Sequence, residues 1–338
     1  LFPLPDNESQ SKAKAAIARD GNGCFFKEGF RMDGNRTTAA GQSSKKLTHH
    51  TLEKKMNRWG WGFVALGIVL ISIFVFFPMV GALVMSFQTG KGINMHFGGL
   101  ANYRRLFHDQ TVGKALGNTF IYLIIQVPIM LVLALIISVL LNDKSLKGRT
   151  FFRVAIFMPC ITSLVSYSLI MKSIFSNDGL FNQMLVHLGL SPIMWTTDAF
   201  WAKVLIILSI TWRWTGYNMI FYLSGMQNIE PSIYEAAEID GANFMQKLNY
   251  MTIPLLKPII LFTTITSTIG TLQLFDEVQN ITQGGPANGT ITISQYIYNL
   301  CFKYTPNFGY ASAVAFIVVV LIMLLSMVQM KLGGKENQ

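Results

Sequence analysis

Residues 118–141 read NTFIYLIIQVPIMLVLALIISVLL and contain no Asp, Glu, Lys or Arg. A run of this kind constrains the fold more than any other feature of the chain. A helix needs about 20 largely apolar residues to cross the hydrocarbon of a bilayer, and few soluble folds tolerate so long a stretch without charge. Five further segments are also long and apolar: residues 61–87, 152–175, 203–225, 259–280 and 310–330. The expected fold is therefore all-α, a polytopic membrane protein with six transmembrane helices. Pro78, Pro128 and Pro159 fall in these segments or at their starts. Membrane helices accept proline where neighbouring helices satisfy the freed carbonyls. Charged residues are 13% of the whole, about half the share of a soluble domain, which agrees with the spans.

Lys and Arg in short flanks set the orientation of such a chain. Lys45, Lys46, Lys54, Lys55 and Arg58 precede the first segment, and Lys144, Lys147, Arg149 and Arg153 cluster around the link between the second and third. Both flanks are expected in the cytoplasm. Residues 176–202 carry no Lys or Arg and are expected outside. Lys91, Arg104, Arg105 and Lys114 run against the rule. Six crossings put both termini in the cytoplasm and residues 226–258 on the same side. The domain division follows: a polar basic tail over residues 1–55, a membrane domain over 56–331 that includes the loop 226–258, and a short tail over 332–338. Residues 1–50 lack an apolar core, so no cleavable signal is expected.

The net charge of +10 fits a membrane surface rather than nucleic acid, since eleven of the Lys/Arg lie in residues 1–58 and no nucleic-acid motif accompanies them. Cys24, Cys160 and Cys301 lack metal-ligand spacing and cannot all pair. The chain has no G-x-x-x-x-G-K-[ST] phosphate loop, since Gly333-Gly334-Lys335 lacks its spacing. It also has no H-E-x-x-H cluster, and no covalent chemistry is expected of it. An ion-coupled carrier using Asp276-Glu277 is the alternative transporter class. The halves show no clear repeat to favour it.

Residues 226–258 differ from their apolar surroundings. Pro231 can open a helix, where its missing N–H is no loss. Glu230 and Glu235 suit the positive end of the helix dipole. Asp240-Gly241 can end the helix, because glycine accepts a left-handed conformation. A second short helix is expected over residues 243–252, with Pro254 and Pro258 turning the chain back into the membrane. Ala236, Ala237 and Ala242 would let another surface approach closely. A solvated helix pair without a partner would have the same local sequence.

The run Glu235-Ala236-Ala237, Asp240-Gly241-Ala242, Ile253-Pro254-Leu255 and Pro258 resembles the EAA loop of ABC importer permeases. Asn118-Thr119, Phe152-Arg153 with Pro159, Thr282-Gln283-Gly284-Gly285-Pro286 and Phe308-Gly309-Tyr310-Ala311-Ser312-Ala313 resemble the sugar-uptake branch, of maltose and lactose type. The resemblance covers roughly residues 60–331. It implies a permease of the bacterial inner membrane that imports a sugar or oligosaccharide by alternating access. It implies four kinds of partner: a second homologous permease, two ATP-binding subunits, an extracellular or periplasmic sugar-binding protein, and the lipid bilayer. ATP and Mg would be bound by the partner subunits and no cofactor by this chain. Glu235, Ala236, Ala237, Asp240, Gly241 and Ala242 would couple to the ATPase.

Sugars need aromatic faces and hydrogen-bonding groups. Trp214, Tyr217 and Asn218 are spaced to share one helix face. Alignment on the motifs of the resembled family puts Trp214 and Tyr217, and likewise Gln273 and Leu274, at pocket positions. Arg213 falls at another such position but differs in residue type. These residues with Asp276 form the expected substrate pathway. The tryptophans could instead form an interfacial belt, and Gln273 could bond between helices. Arg213 could pair with Asp276-Glu277 or hold an acidic saccharide or a sugar phosphate.

Overall fold

A computed structural model describes residue 57 and residues 60–92, 94–143 and 145–334. The tail expected over residues 1–55 lies outside the described residues, as do residues 335–338. Two units are separated at Ser72/Ile73. In the first, residues 60–71 are helical. The account below concerns the second.

Its elements in order are α1 (Phe77–Ser86), β1 (Gln88–Lys91), β2 (Asn94–Phe97), α2 (Ala101–Leu106), α3 (Gln110–Asn142), α4 (Arg149–Ile161), α5 (Leu164–Ile174), α6 (Leu180–His187), α7 (Ala199–Gln227), α8 (Pro231–Ile239), α9 (Phe244–Leu272), α10 (Ile293–Tyr298) and α11 (Phe308–Gly334). The two strands form an antiparallel hairpin pairing Gln88 with Phe97 and Lys91 with Asn94. This departs from the all-α expectation. The hairpin is short and turns at Gly92, whose φ of +62° suits glycine.

Among the described residues, four helices are long and apolar enough to cross a membrane: Gly60–Ser86, Gln110–Asn142, Phe244–Leu272 and Phe308–Gly333. The expected third span is not straight. α4 and α5 meet at a bend of 103° around Thr162-Ser163. The expected fourth is α7, a 29-residue helix. It is long enough to cross, at about 1.5 Å per residue. Its polar and aromatic residues keep it from passing as an apolar span, and it is the most enclosed helix of the unit. α3 packs along its length, and α4 and α9 pack on its other faces.

Small residues allow these close approaches. A Cβ on Gly216 would lie 2.3 Å from the Ile156 carbonyl oxygen, so α4 and α7 meet almost backbone to backbone. Gly225 gives the same freedom to Leu256 and Ile259 of α9. Away from these contacts α3 presents Ile124, Val132, Ile136 and Leu140 outward. An apolar outer face is expected of a helix in lipid.

The expected fifth span needs correction at both ends. Pro254 and Pro258 do not turn the chain. The helix starting at Phe244 runs through a π turn at Leu248–Thr252 and continues to Leu272, with both prolines inside it. A π turn tolerates an irregular hydrogen-bond ladder, which is what Pro254, without an N–H, requires. At the far end the helix stops at Gln273, and a short π turn, Val278–Thr282, follows.

A polar joint holds the opposite end of α3. Asp109 caps the helix by accepting from the Thr111 N–H at 2.8 Å. Its other oxygen accepts from the hydroxyls of Tyr296 at 2.6 Å and Tyr310 at 2.7 Å, binding α3 to α10 and α11. Beneath it Leu106, Val112, Ala115, Ile293, Val314 and Val318 form one apolar core.

Candidate functional site

Helical periodicity brings three elements around one cavity of about 170 Å³. α7 contributes Ile210, Trp214 and Tyr217, spaced to share one face. α3 contributes Gln126 and Met130, one turn apart. α9 contributes Thr266, Ser267, Gly270 and Thr271, and Leu274 follows just beyond its end. The lining combines two aromatic rings with an amide and several hydroxyls, and none of its residues is charged. Trp214 and Tyr217 meet edge to face at 5.5 Å, and the aromatic row continues to Phe221 at 5.0 Å and on to Phe262 at 5.7 Å. Edge-to-face contacts of this kind are a preferred geometry of aromatic pairs.

The cavity thus gathers Trp214, Tyr217 and Leu274 of the expected pathway. The others lie elsewhere. Asn218 is buried behind the wall, where its amide donates to the Trp214 carbonyl at 3.0 Å and approaches the Met130 sulfur at 3.6 Å. The cavity face of α7 runs along Ile210, Trp214 and Tyr217, which turns Asn218 toward α3. Gln273 is exposed at the end of α9 and is not in the lining. Asp276 is half-buried and its carbonyl accepts from the Asn280 amide at 2.8 Å. Arg213 is buried beside Trp214 and donates to the Cys160 carbonyl at 3.4 Å.

Gln126, Met130 and the hydroxyls of α9 were not singled out in the sequence. A signal for Gln126 existed: it is the one amide in the apolar run of residues 119–141. A polar group at membrane depth usually faces a pathway or a bundle interior. The run Thr263-Thr264-Ile265-Thr266-Ser267-Thr268 carried the same information for α9.

A second candidate region is the corner between α8 and α9. Pro231 stands at the start of α8. The helix ends with Gly241 at φ +76°. The Gly241 N–H donates to the Glu238 carbonyl at 3.1 Å and the Ala242 N–H to the Ala237 carbonyl at 2.9 Å. This is the paired closure of a Schellman end. Asn243 then opens α9 through a capping box with Gln246. Tyr234 bonds Thr252 at 3.0 Å, and Lys247 pairs with Glu238 at 2.9 Å, so the two helices are fixed together. Glu235, Ala236, Asp240 and Gly241 are exposed, Ala242 is half-buried and Ala237 is buried. Ile239, 87% exposed, projects from this corner with Phe244, Met245 and Tyr250, all exposed. The result is a rigid projection with an apolar tip.

Comparison with known proteins identifies the family of the chain. Residues 97–333 match the family described as binding-protein-dependent transport system inner membrane component. The chain is 54% identical over 274 residues to the lactose transport system permease protein of Rhizobium radiobacter, covering 80% of this chain and 92% of that one. It is 36% identical over 276 residues to the arabinooligosaccharides transport system permease protein of Halalkalibacterium halodurans, covering 79% and 87%. In fold it resembles a bacterial ABC transporter involved in the import of the acidic polysaccharide alginate. That match has a TM-score of 0.77 at 22% identity and covers 85% of this chain and all of that one. With its apolar spanning helices and its match across most of their length, the chain belongs to the family of inner-membrane permeases of binding-protein-dependent transport systems.

Proposed function

We propose that the chain is the channel-forming subunit of an ATP-driven importer that moves a sugar or oligosaccharide into the cytoplasm by alternating access. The observation that carries this is the cavity between α3, α7 and α9. Its aromatic faces suit the apolar side of a pyranose, and its amide and hydroxyls suit the ring hydroxyls. Relatives named for lactose and arabinooligosaccharides support the substrate class.

The mechanism assigns one role to each region. The chain spans the inner membrane six times, with the bent pair α4–α5 and the enclosed α7 among the crossings, and both termini face the cytoplasm. The α8–α9 corner faces the same side and docks on one of two ATP-hydrolysing subunits. ATP and Mg belong to those subunits. A second, homologous permease completes the translocation path, and an external binding protein delivers the sugar. α9 is continuous from the corner to the cavity wall, so movement of the corner tilts Thr266, Ser267 and Thr271 relative to α7. ATP binding favours the outward-open arrangement and hydrolysis returns it, each by its differential affinity for the two states.

Labelled-lactose uptake tests the cavity's role in cells expressing the whole transporter. Trp214→Ala and Tyr217→Ala should each slow uptake about tenfold or more at matched membrane levels. Unchanged rates in both would remove the cavity from the pathway.

A further inference from the structure

Residues 91–114 hold four basic residues, Lys91, Arg104, Arg105 and Lys114, against one acid, Asp109. In the orientation proposed above they lie outside, where short flanks are ordinarily poor in Lys and Arg. The two arginines share a cleft of about 620 Å³ with Ala101, His108, Asp109 and Tyr296. The His108 Nδ1–H donates to the Arg104 carbonyl at 3.0 Å, and Arg105 lies 4.2 Å from the centroid of the Tyr310 ring. The Asp109 oxygens are taken by Thr111, Tyr296 and Tyr310, and among the described residues neither arginine has a carboxylate within ion-pair distance. Leu100, Arg104 and Phe107 stand at i, i+4 and i+7, so α2 turns all three to one side. All are exposed, Phe107 by 78% and Leu100 by 68%, while Asn102 and Leu106 are buried beneath. Phe97, 80% exposed, ends the preceding hairpin. The platform under this face is fixed. The Asn102 amide donates to the carbonyls of Ser86 at 2.9 Å and Gln88 at 2.7 Å, and the Asp109 joint secures the other end. A surface that is already rigid forfeits little entropy on binding.

The cleft stands clear of the bilayer. Asp109 precedes the uncharged run that starts at Asn118 by nine residues, about 13 Å along α3 at about 1.5 Å per residue. A headgroup layer is only about 5–8 Å deep. This is also the end of α3 away from the α8–α9 corner, since Leu141 at the other end packs with Met226 and Leu256. We propose that this face of α2, Leu100, Arg104 and Phe107 with the cleft beside them, docks the external sugar-binding protein through a partner edge that carries carboxylates around an apolar centre. The inference rests on the importer reading above and says where delivery occurs. Arginine and aromatic side chains carry much of the energy of protein interfaces. Opposite charges speed the encounter and fix its register. α3 continues from this platform to Gln126 and Met130 of the cavity wall, so docking bears on a helix that lines the cavity.

The test follows ATP hydrolysis by the assembled transporter in nanodiscs against the concentration of its binding protein loaded with lactose. Arg104→Glu and Phe107→Ala should each raise the half-saturating concentration about tenfold. The gap between Arg104→Glu and wild type should narrow as salt rises from about 50 mM to about 0.5 M, while that of Phe107→Ala persists. A second measurement replaces the exposed Phe107 by photoreactive benzoylphenylalanine, which keeps a ring and every charge. It should cross-link to the loaded binding protein. Half-saturating concentrations unchanged in both variants would overturn the docking surface and leave import standing. Cross-linking to phospholipid or to the second permease, with none to the binding protein, would overturn it by giving the face another occupant. Failure of the loaded binding protein to stimulate the wild-type transporter at any concentration would overturn the importer reading itself.

Discussion

The Thr271 hydroxyl donates to the Gln126 amide oxygen at 3.2 Å, joining α9 to α3 beside the cavity. Gln126 is 1% exposed, and its own NH2 approaches the Met130 sulfur at 3.1 Å. This bond links the helix that continues from the exposed corner to the wall opposite it. Thr271 keeps an alternative acceptor in the Ser267 carbonyl at 2.9 Å. Gln126→Leu should therefore leave the protein folded and slow sugar uptake about tenfold, equivalent to about 1.4 kcal/mol in the barrier. Uptake measured at matched membrane levels checks this, and an unchanged rate would show that the amide has no part in transport.

Gly216 sets the spacing of α4 and α7. Its missing Cβ would sit 2.3 Å from a backbone oxygen, which has no rotamer by which to withdraw. Gly216→Ala should destabilise the protein by about 1–3 kcal/mol, the usual range for overpacking. Gly117 on α3 has nothing within 4 Å of the corresponding position. Gly117→Ala should be neutral or stabilising, by roughly 1 kcal/mol or less. Thermal unfolding in detergent compares the two.

The α8–α9 corner should matter for coupling and not for insertion. Glu235→Ala removes an exposed carboxylate and should reduce both transport and sugar-stimulated ATP hydrolysis by the assembled transporter, with the permease still reaching the membrane. Gly241→Val forces a β-branched residue to φ +76° and should distort the corner at a local cost of about 1–2 kcal/mol. Normal coupled hydrolysis in both variants would detach the corner from the motor.

Asp109 gives a pH dependence of definite sign. Burial pushes its carboxyl up, but the hydroxyls of Tyr296 and Tyr310 and the N–H groups of Thr111 and Val112 outweigh that and hold it below the ordinary value of 3.8. The carboxyl is thus more acidic in the folded chain than in the unfolded one. Its contribution to stability is complete above the unfolded value and is lost as pH falls through the folded one. Melting temperature should fall more steeply for wild type than for Asp109→Asn between about pH 5 and pH 3. Parallel curves would contradict the joint.

The sequence was most legible where signals are local. Pro231, Gly241 and Asn243 each act on the residues beside them, so α8, its corner and the start of α9 fell where local chemistry put them. Pro254 and Pro258 misled for the converse reason. Proline usually ends a helix, but a π turn at Leu248–Thr252 and packing against α7 carry the chain through both. The 103° bend at Thr162-Ser163 had only Pro159 nearby as a hint, and the Arg213 side chain that reaches the Cys160 carbonyl beside it lies 53 residues away. Trp214 and Tyr217 were found through helical spacing and the aligned motifs. Gln126 was overlooked although it stands as the one amide in its apolar run; its partner Thr271, 145 residues away, was not legible in the sequence. Asn218 shares the spacing of Trp214 and Tyr217 but turns to α3, because the rotation of α7 is fixed by Gly216 against α4, which one helix's pattern does not contain.

The central claim is that this chain provides the path and other subunits supply the work. Flux of labelled sugar into proteoliposomes tests it most directly, comparing the permease pair alone with the assembled transporter, both given sugar-loaded binding protein. The account predicts uptake against a gradient only from the assembled transporter with ATP on the motor side, insensitive to ionophores. Concentrative uptake by the permease alone, driven by an ion gradient, would contradict it.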